Sequence, residues 1–171
     1  MSEKIVFGGF EFTTFCEADI DGLTPIMKAA FDHDTFIHTG EERGGPGGYD
    51  NGDLFRKYYL DGKHVSFKIT RDGKPIGGLC VKINADNINS LESIFIDPGC
   101  QGKNLGKVVW DFIEQAFPDT VKWQVLTPAY SKRNIHFYEN KCGFKVVGWI
   151  RSPEWVDEPN TCVLEKKMNN T

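Results

Sequence analysis

Residues 94–107, Ile-Phe-Ile-Asp-Pro-Gly-Cys-Gln-Gly-Lys-Asn-Leu-Gly-Lys, constrain this chain more than any other stretch. An apolar run that begins at Leu91 ends at Pro98, because proline has no N–H to give to a sheet ladder. A turn bearing Gly99, Gly102 and Gly106 follows. Apolar residues then recur at Leu105, Val108, Val109, Phe112 and Ala116, the spacing of one helical stripe. A strand, a turn and a helix in that order aim several backbone amides and the positive end of a helix dipole at one point, which suits a phosphate or diphosphate.

The turn by itself does not name its ligand. A dinucleotide fingerprint needs Gly-x-Gly-x-x-Gly after an early strand, and a Walker loop needs Gly-Lys-Ser/Thr; neither pattern is present. The second glycine cluster, Gly44-Gly45-Pro46-Gly47-Gly48, has no strand before it and reads as a flexible surface loop within residues 39–53.

The remaining periodicities extend the pattern. Phe10 to Phe15 alternates as a strand, and Ala18 to Phe31 carries Ile20, Leu23, Ile26 or Met27, and Ala30 at helical spacing. Asp53 is placed to cap a short helix through Leu60. Val65–Thr70 and Ile76–Ile83 read as a hairpin around Asp72-Gly73. Leu91–Ile96 is a strand, 104–117 a helix and Val121–Leu126 a strand. Ser131 is expected to cap a helix that Gly143 stops. Phe144–Ile150 and Thr161–Lys167 close the chain as strands, joined by an acidic, proline-bearing loop over 151–160. The order β-α-α-β-β-β-α-β-α-β-β predicts an α/β fold, a mixed sheet with helices on both faces, in one domain over residues 1–171.

Composition sets outer bounds. With 171 residues, 40% apolar and 26% charged, the chain is of ordinary globular make-up. A net charge of −4 without a basic stripe speaks against nucleic acid. No run approaches the ~18 apolar residues of a membrane span, and Met1-Ser2-Glu3-Lys4 lacks a signal-peptide pattern, so a cytoplasmic location is expected. The five cysteines are scattered and show no Cys-x-x-Cys spacing, which predicts reduced thiols in place of a disulfide framework or zinc site. Cys100 falls in the glycine-bearing turn as a loop thiol. His33 and His38 flank Asp34 without further well-spaced ligands, so no metal is expected.

A family resemblance rests on two segments. Gln101-Gly102-Lys103-Asn104-Leu105-Gly106 resembles the Gln/Arg-x-x-Gly-x-Gly/Ala signature of the GNAT superfamily of N-acyltransferases, and Leu91 to Pro98 is similar to that family's fourth strand. Asn134 to Phe144 resembles its Asn-x-x-x-Phe-Tyr-x-x-x-Gly-Phe segment. Together they cover about residues 91–148 in the family's order and separation, whereas residues 1–90 agree in element order only. One departure is Asn104, which stands where the family has its first glycine; asparagine tolerates the left-handed backbone better than most residues.

The resemblance implies a mostly antiparallel sheet of about seven strands with the fourth and fifth splayed, and an acyl-coenzyme-A-binding core over about residues 76–150. It implies transfer of an acetyl group from acetyl-coenzyme A to a primary amine of a small molecule or peptide, by direct attack in a ternary complex and without metal, flavin or nicotinamide. Ile94, Phe95 and Ile96 would pair with pantetheine, and an amide near Phe95 would stabilise the oxyanion. Gln101, Gly102, Lys103, Asn104, Leu105, Gly106 and Lys107 would hold the diphosphate. Tyr138 is the implied general acid and coenzyme contact, with Asn134 beside the coenzyme. Glu92, sharing a face with Ile94 and Ile96 by alternation, is the candidate base, with Ser93 its substitute. His33, His38, Tyr49, Asp50, Trp155 and Asp157 are acceptor-side candidates, and a homodimer is left open. Two other readings stand beside this one: a non-catalytic acyl-coenzyme A sensor, and a phosphate- or nucleotide-binding module.

Overall fold

The computed structural model describes residues 3–102, 104–151 and 160–169. It opens with a hairpin, β1 (Lys4–Phe7) against β2 (Phe10–Thr14), across Gly8 and Gly9 at φ 59° and 85°. Two central residues at positive φ match the twist of the flanking strands. Sequence reading places one strand here; β1 is an edge strand with no fully buried residue, so its alternation is faint.

Helix α1 (Ile20–Thr39) runs eight residues beyond its predicted end at Phe31 and stops where Gly40 takes φ 78°. The apolar stripe of the first three turns gives way to a polar segment that stays helical by tertiary contacts of Thr35, Asp34 and His38. The predicted short helix after Asp53 is instead one π-helical turn, Phe55–Tyr59, in which the Leu60 amide reaches the Phe55 carbonyl at 3.1 Å. Asp53 does not cap it; its carboxylate takes the Arg56 guanidinium.

Strands β3 (Val65–Arg71) and β4 (Lys74–Lys82) form the expected hairpin, with Asp72 and Gly73 both at positive φ. Strand β5 (Ile88–Ile96) leads through the turn into α2 (Leu105–Ala116). Then come β6 (Lys122–Pro128), α3 (Lys132–His136) continuing as a π-helical turn over Phe137–Lys141, β7 (Lys145–Ile150) and β8 (Thr161–Lys167). All eight strands join one sheet in the order β1-β2-β3-β4-β5-β6-β8-β7, and only β5 and β6 pair parallel.

Each face of the sheet has its own core. On one, the α2 stripe of Leu105, Val109, Trp110, Phe112 and Ile113 packs on Phe12, Ile69, Leu79, Trp123 and Leu164. On the other, Ile20, Leu23 and Met27 of α1 join Phe55, Tyr59, Cys80 and Phe95. Full burial stabilises each such side chain by about 1.5–3 kcal/mol, which pins both helices to the central strands. None of the described helices is long and apolar enough to cross a membrane.

The sheet opens between its central strands. Register between β5 and β6 runs from Ile88–Lys122 to Leu91–Val125 and stops there. At the same level the β4–β5 register slips, with Cys80 opposite Ser93 and Val81 opposite Leu91, which leaves Glu92 with no partner. An extra residue of this kind bends a strand and increases its twist. Residues 93–96 therefore stay with β4 while Leu126–Pro128 stay with β8.

Gly77 makes the close approach of β4 and β5 workable at the end of this segment. A Cβ there would stand 2.2 Å from the Phe95 carbonyl oxygen, a backbone atom that cannot swing aside. We expect Gly77→Ala to cost about 2 kcal/mol or more, read as a drop in urea midpoint; a variant within about 0.5 kcal/mol of the parent would contradict this tight fit.

Candidate active site

The gap between the splayed strands opens into a cavity of about 380 Å³. Its floor is the free edge of β5. Asp97 gives its amide to the Ile76 carbonyl at 2.7 Å, and the Phe95 carbonyl also turns to β4. Alternation then directs the N–H and C=O groups of Ile94 and Ile96 into the gap. Of the amides near Phe95, those of Ile94 and Ile96 are therefore the ones that face the gap. The Ile96 carbonyl is taken by the Gln101 side-chain amide at 3.0 Å.

The second wall is the turn. Asp97 builds it, accepting the Gly99 amide on its carboxylate (2.9 Å) and the Cys100 amide on its carbonyl (2.8 Å). Gly102 and Asn104 follow at φ 94° and 57°, and α2 begins. The first amide bonded back to Asn104 is that of Val108, at 3.0 Å. The amides of Leu105, Gly106 and Lys107 precede it, without intrahelical acceptors, and all three residues line the cavity. Asn104 makes no side-chain cap and is exposed at the cavity's rim, among its lining residues. Gly106 allows α2 to lie against the Phe137 ring, where a Cβ would meet ring carbons at 3.0 Å. Lys103 lies outside the described residues.

The third wall is α3 and its π-helical turn. Asn134 reaches Thr127 of β6 at 3.4 Å. Tyr138 is 8% exposed, lines the cavity and stacks edge-on against Phe137 and Phe144. Burial pushes its phenol well above the usual range, so it keeps its proton at neutral pH. A π-helical turn shifts the side chains after it relative to a regular helix and is frequent at functional sites. Ser131 stands at the start of α3 but, contrary to expectation, donates its hydroxyl to Asp34 and does not cap the helix. Arg133, His136 and Lys141 add positive or polar groups beside Lys107, which is itself paired with Asp111.

Other sequence candidates fall elsewhere. Glu92 is exposed, accepts the Ser90 hydroxyl at 2.6 Å and is not among the cavity-lining residues; the apolar setting expected around it is not there. Ser93 faces the opposite core, where its hydroxyl accepts from Tyr59 at 2.9 Å. Tyr49 is buried against Phe31 and donates to Asp32 at 2.6 Å, its phenol pushed up to about 12 by burial and then by that carboxylate. Asp32 also accepts the Gly44 amide (3.1 Å) and Lys28 (2.6 Å), so the glycine-rich segment is tied to α1, contrary to a flexible loop. Asp50 and His33 are exposed, and Trp155 and Asp157 lie outside the described residues. Among the described residues no group of three or more His, Cys, Asp or Glu is placed to hold a metal ion. Sequence reading missed Asp34, Arg133, His136 and Lys141 as cavity residues.

The sequence profile of the Acetyltransferase (GNAT) family matches residues 30–144. The chain belongs to the GNAT acetyltransferase family. Its curated relatives include an uncharacterized Bacillus subtilis (strain 168) protein, YrkN, 37% identical over 132 residues, or 77% of this chain and 70% of that one. Solved GNAT structures share its fold. A Thermoplasma acidophilum PaiA N-acetyltransferase in complex with coenzyme A superposes with TM-score 0.72 at 16% identity, over 93% of this chain and 99% of that one. A Vibrio cholerae spermidine N-acetyltransferase in complex with coenzyme A and spermine does so with TM-score 0.66 at 16% identity, over 93% and 95%. The GNAT turn and the tyrosine-bearing segment meet in one cavity, and the predicted splay of strands is the β5–β6 gap.

Two outcomes follow. Among the described residues of this GNAT turn Asn104 alone holds a left-handed backbone without being glycine, so Asn104→Gly should be neutral or stabilising and Asn104→Ala should cost about 1 kcal/mol, read by thermal unfolding. An exposed Glu92 outside the cavity predicts that Glu92→Gln keeps turnover within about threefold of the parent and leaves the acidic limb of the pH–rate profile in place; a displaced limb would return Glu92 to the chemistry.

Proposed function

We propose that the protein moves an acetyl group from acetyl-coenzyme A to a primary amine of a small molecule or peptide, by direct attack within a ternary complex. One observation carries this reading: free sheet edge, free helix amides and a buried phenol border the same cavity. Family membership and the coenzyme A held by relatives of the same fold support it.

The residues suit the co-substrate. Amides from Gly102 to Lys107 would hold the diphosphate, as a helix N-terminus does, with Lys103 in the same turn. Pantetheine would lie along Ile94–Ile96 as an added strand, matching its amides to the backbone groups in the gap. Gln101 would then leave the Ile96 carbonyl to it. Asn134, fixed on β6, would touch the coenzyme from the far side of the gap.

In the transfer, the amine nitrogen forms a bond to the thioester carbonyl carbon. The carbonyl oxygen takes negative charge and meets an amide of the β5 edge, Ile94 or Ile96. The carbon–sulfur bond then breaks, the nitrogen loses one proton to water, and the leaving thiolate takes the proton of Tyr138, which is refilled from solvent. No enzyme nucleophile is needed, and Cys100 takes no part.

Replacement of Tyr138 by Phe should slow turnover by at least about tenfold with little change in coenzyme affinity, because only the proton donor is removed. Thiol release from acetyl-coenzyme A with a panel of amines measures it, and an undiminished rate would remove Tyr138 from the mechanism. In a thermal-shift screen, acetyl-coenzyme A should stabilise the protein more than adenosine nucleotides; the reverse order would favour a nucleotide-binding module.

A further inference from the structure

The proposed transfer leaves one wall of the cavity without a part. Asp34, near the C-terminal end of α1, is the one carboxylate among the described residues that line it. Its side chain is 19% exposed, and no lysine or arginine of the described residues is paired with it. What holds it are neutral donors. The fully buried Ser131 gives its hydroxyl to both carboxylate oxygens, at 3.1 and 3.2 Å. One turn along the helix, His38 Nδ1 lies 2.8 Å from the Asp34 carbonyl and 3.3 Å from its carboxylate. The other ring nitrogen of His38 accepts the Arg133 amide at 3.3 Å, which leaves the proton of the neutral ring on Nδ1, facing Asp34.

These contacts orient the carboxylate and do not neutralise it. Two cationic residues of the cavity are engaged elsewhere, Arg133 bonding its guanidinium to Gln101 of the turn and Lys107 bonding to Asp111, and the third, Lys141, is not among the hydrogen-bond or ion-pair partners of Asp34 in the described residues. A partly buried carboxylate with no cation beside it is costly unless a ligand brings one. Asp34 stands on α1, which crosses the same strands, β4 and β5, whose free edge would receive the thioester.

We propose that Asp34 is the anionic contact for a cationic amine acceptor, positioned by Ser131 and His38, so that the enzyme selects acceptors carrying an ammonium over neutral ones. This rests on the acetyl-transfer reading and specifies its second substrate.

Asp34→Asn tests it, since the amide keeps the size of the side chain and an oxygen for Ser131. The protein saturated with coenzyme A is titrated calorimetrically with 1,4-diaminobutane and with the uncharged 1,4-butanediol. The parent should bind the diamine at least about tenfold more tightly than the diol. Asp34→Asn should erase that preference while leaving coenzyme A affinity unchanged, and Asp34→Glu should restore much of it, which separates loss of charge from loss of fold. No preference in the parent, or the same preference in parent and Asp34→Asn, overturns the proposal. Absence of thiol release from acetyl-coenzyme A in the parent would sink the transfer reading instead, while the titration still decides Asp34.

Discussion

After Leu91 and Val125, the two parallel strands at the centre of the sheet stop sharing hydrogen bonds, and backbone groups that a sheet interior would satisfy are left facing a cavity. The unpaired Glu92 is the physical cause, because one extra residue on β5 forces that strand to follow β4 and desert β6. The turn, the free helix amides and the tyrosine all take their meaning from this gap. Closing it would satisfy the sheet and leave no room for a ligand.

Such a defect persists only if the surroundings outweigh it. An unsatisfied buried backbone group costs about 1–3 kcal/mol, and a few are exposed to the gap. Against them stand two separate apolar cores, one under α2 and one under α1, each burying large side chains on the same central strands. Gln101 reduces the cost further by donating to the Ile96 carbonyl, a bond that a ligand amide would replace. The site is thus held open by packing on both faces and partly satisfied from within.

Legibility in the sequence followed the range of the interactions. The β3–β4 hairpin was readable because Asp72-Gly73 dictates its own turn, and the strand-turn-helix at 91–117 because Pro98 and the α2 stripe are local signals. Asn104 could be foreseen in a left-handed conformation for the same reason. The edge strand β1 escaped notice, since an exposed strand need not alternate strictly. The clasp of Asp32 on Gly44 and Tyr49 escaped too: a glycine-rich composition suggests freedom, and only the approach of α1 removes it.

Local chemistry in the chain therefore determined most of the elements, the fold class and the glycine-bearing turn before α2, because turn residues, helix stripes and proline stops act within a few positions. Tertiary structure alone decided which carboxylate enters the cavity. Alternation along β5 pointed to Glu92, yet the slip in register turns that residue out to Ser90 and solvent. Asp34, nearly sixty positions earlier on another element, is brought to the wall by a hydroxyl 97 residues away. Register slips and long-range hydrogen bonds depend on how whole strands and helices dock, and no short window of residues records them.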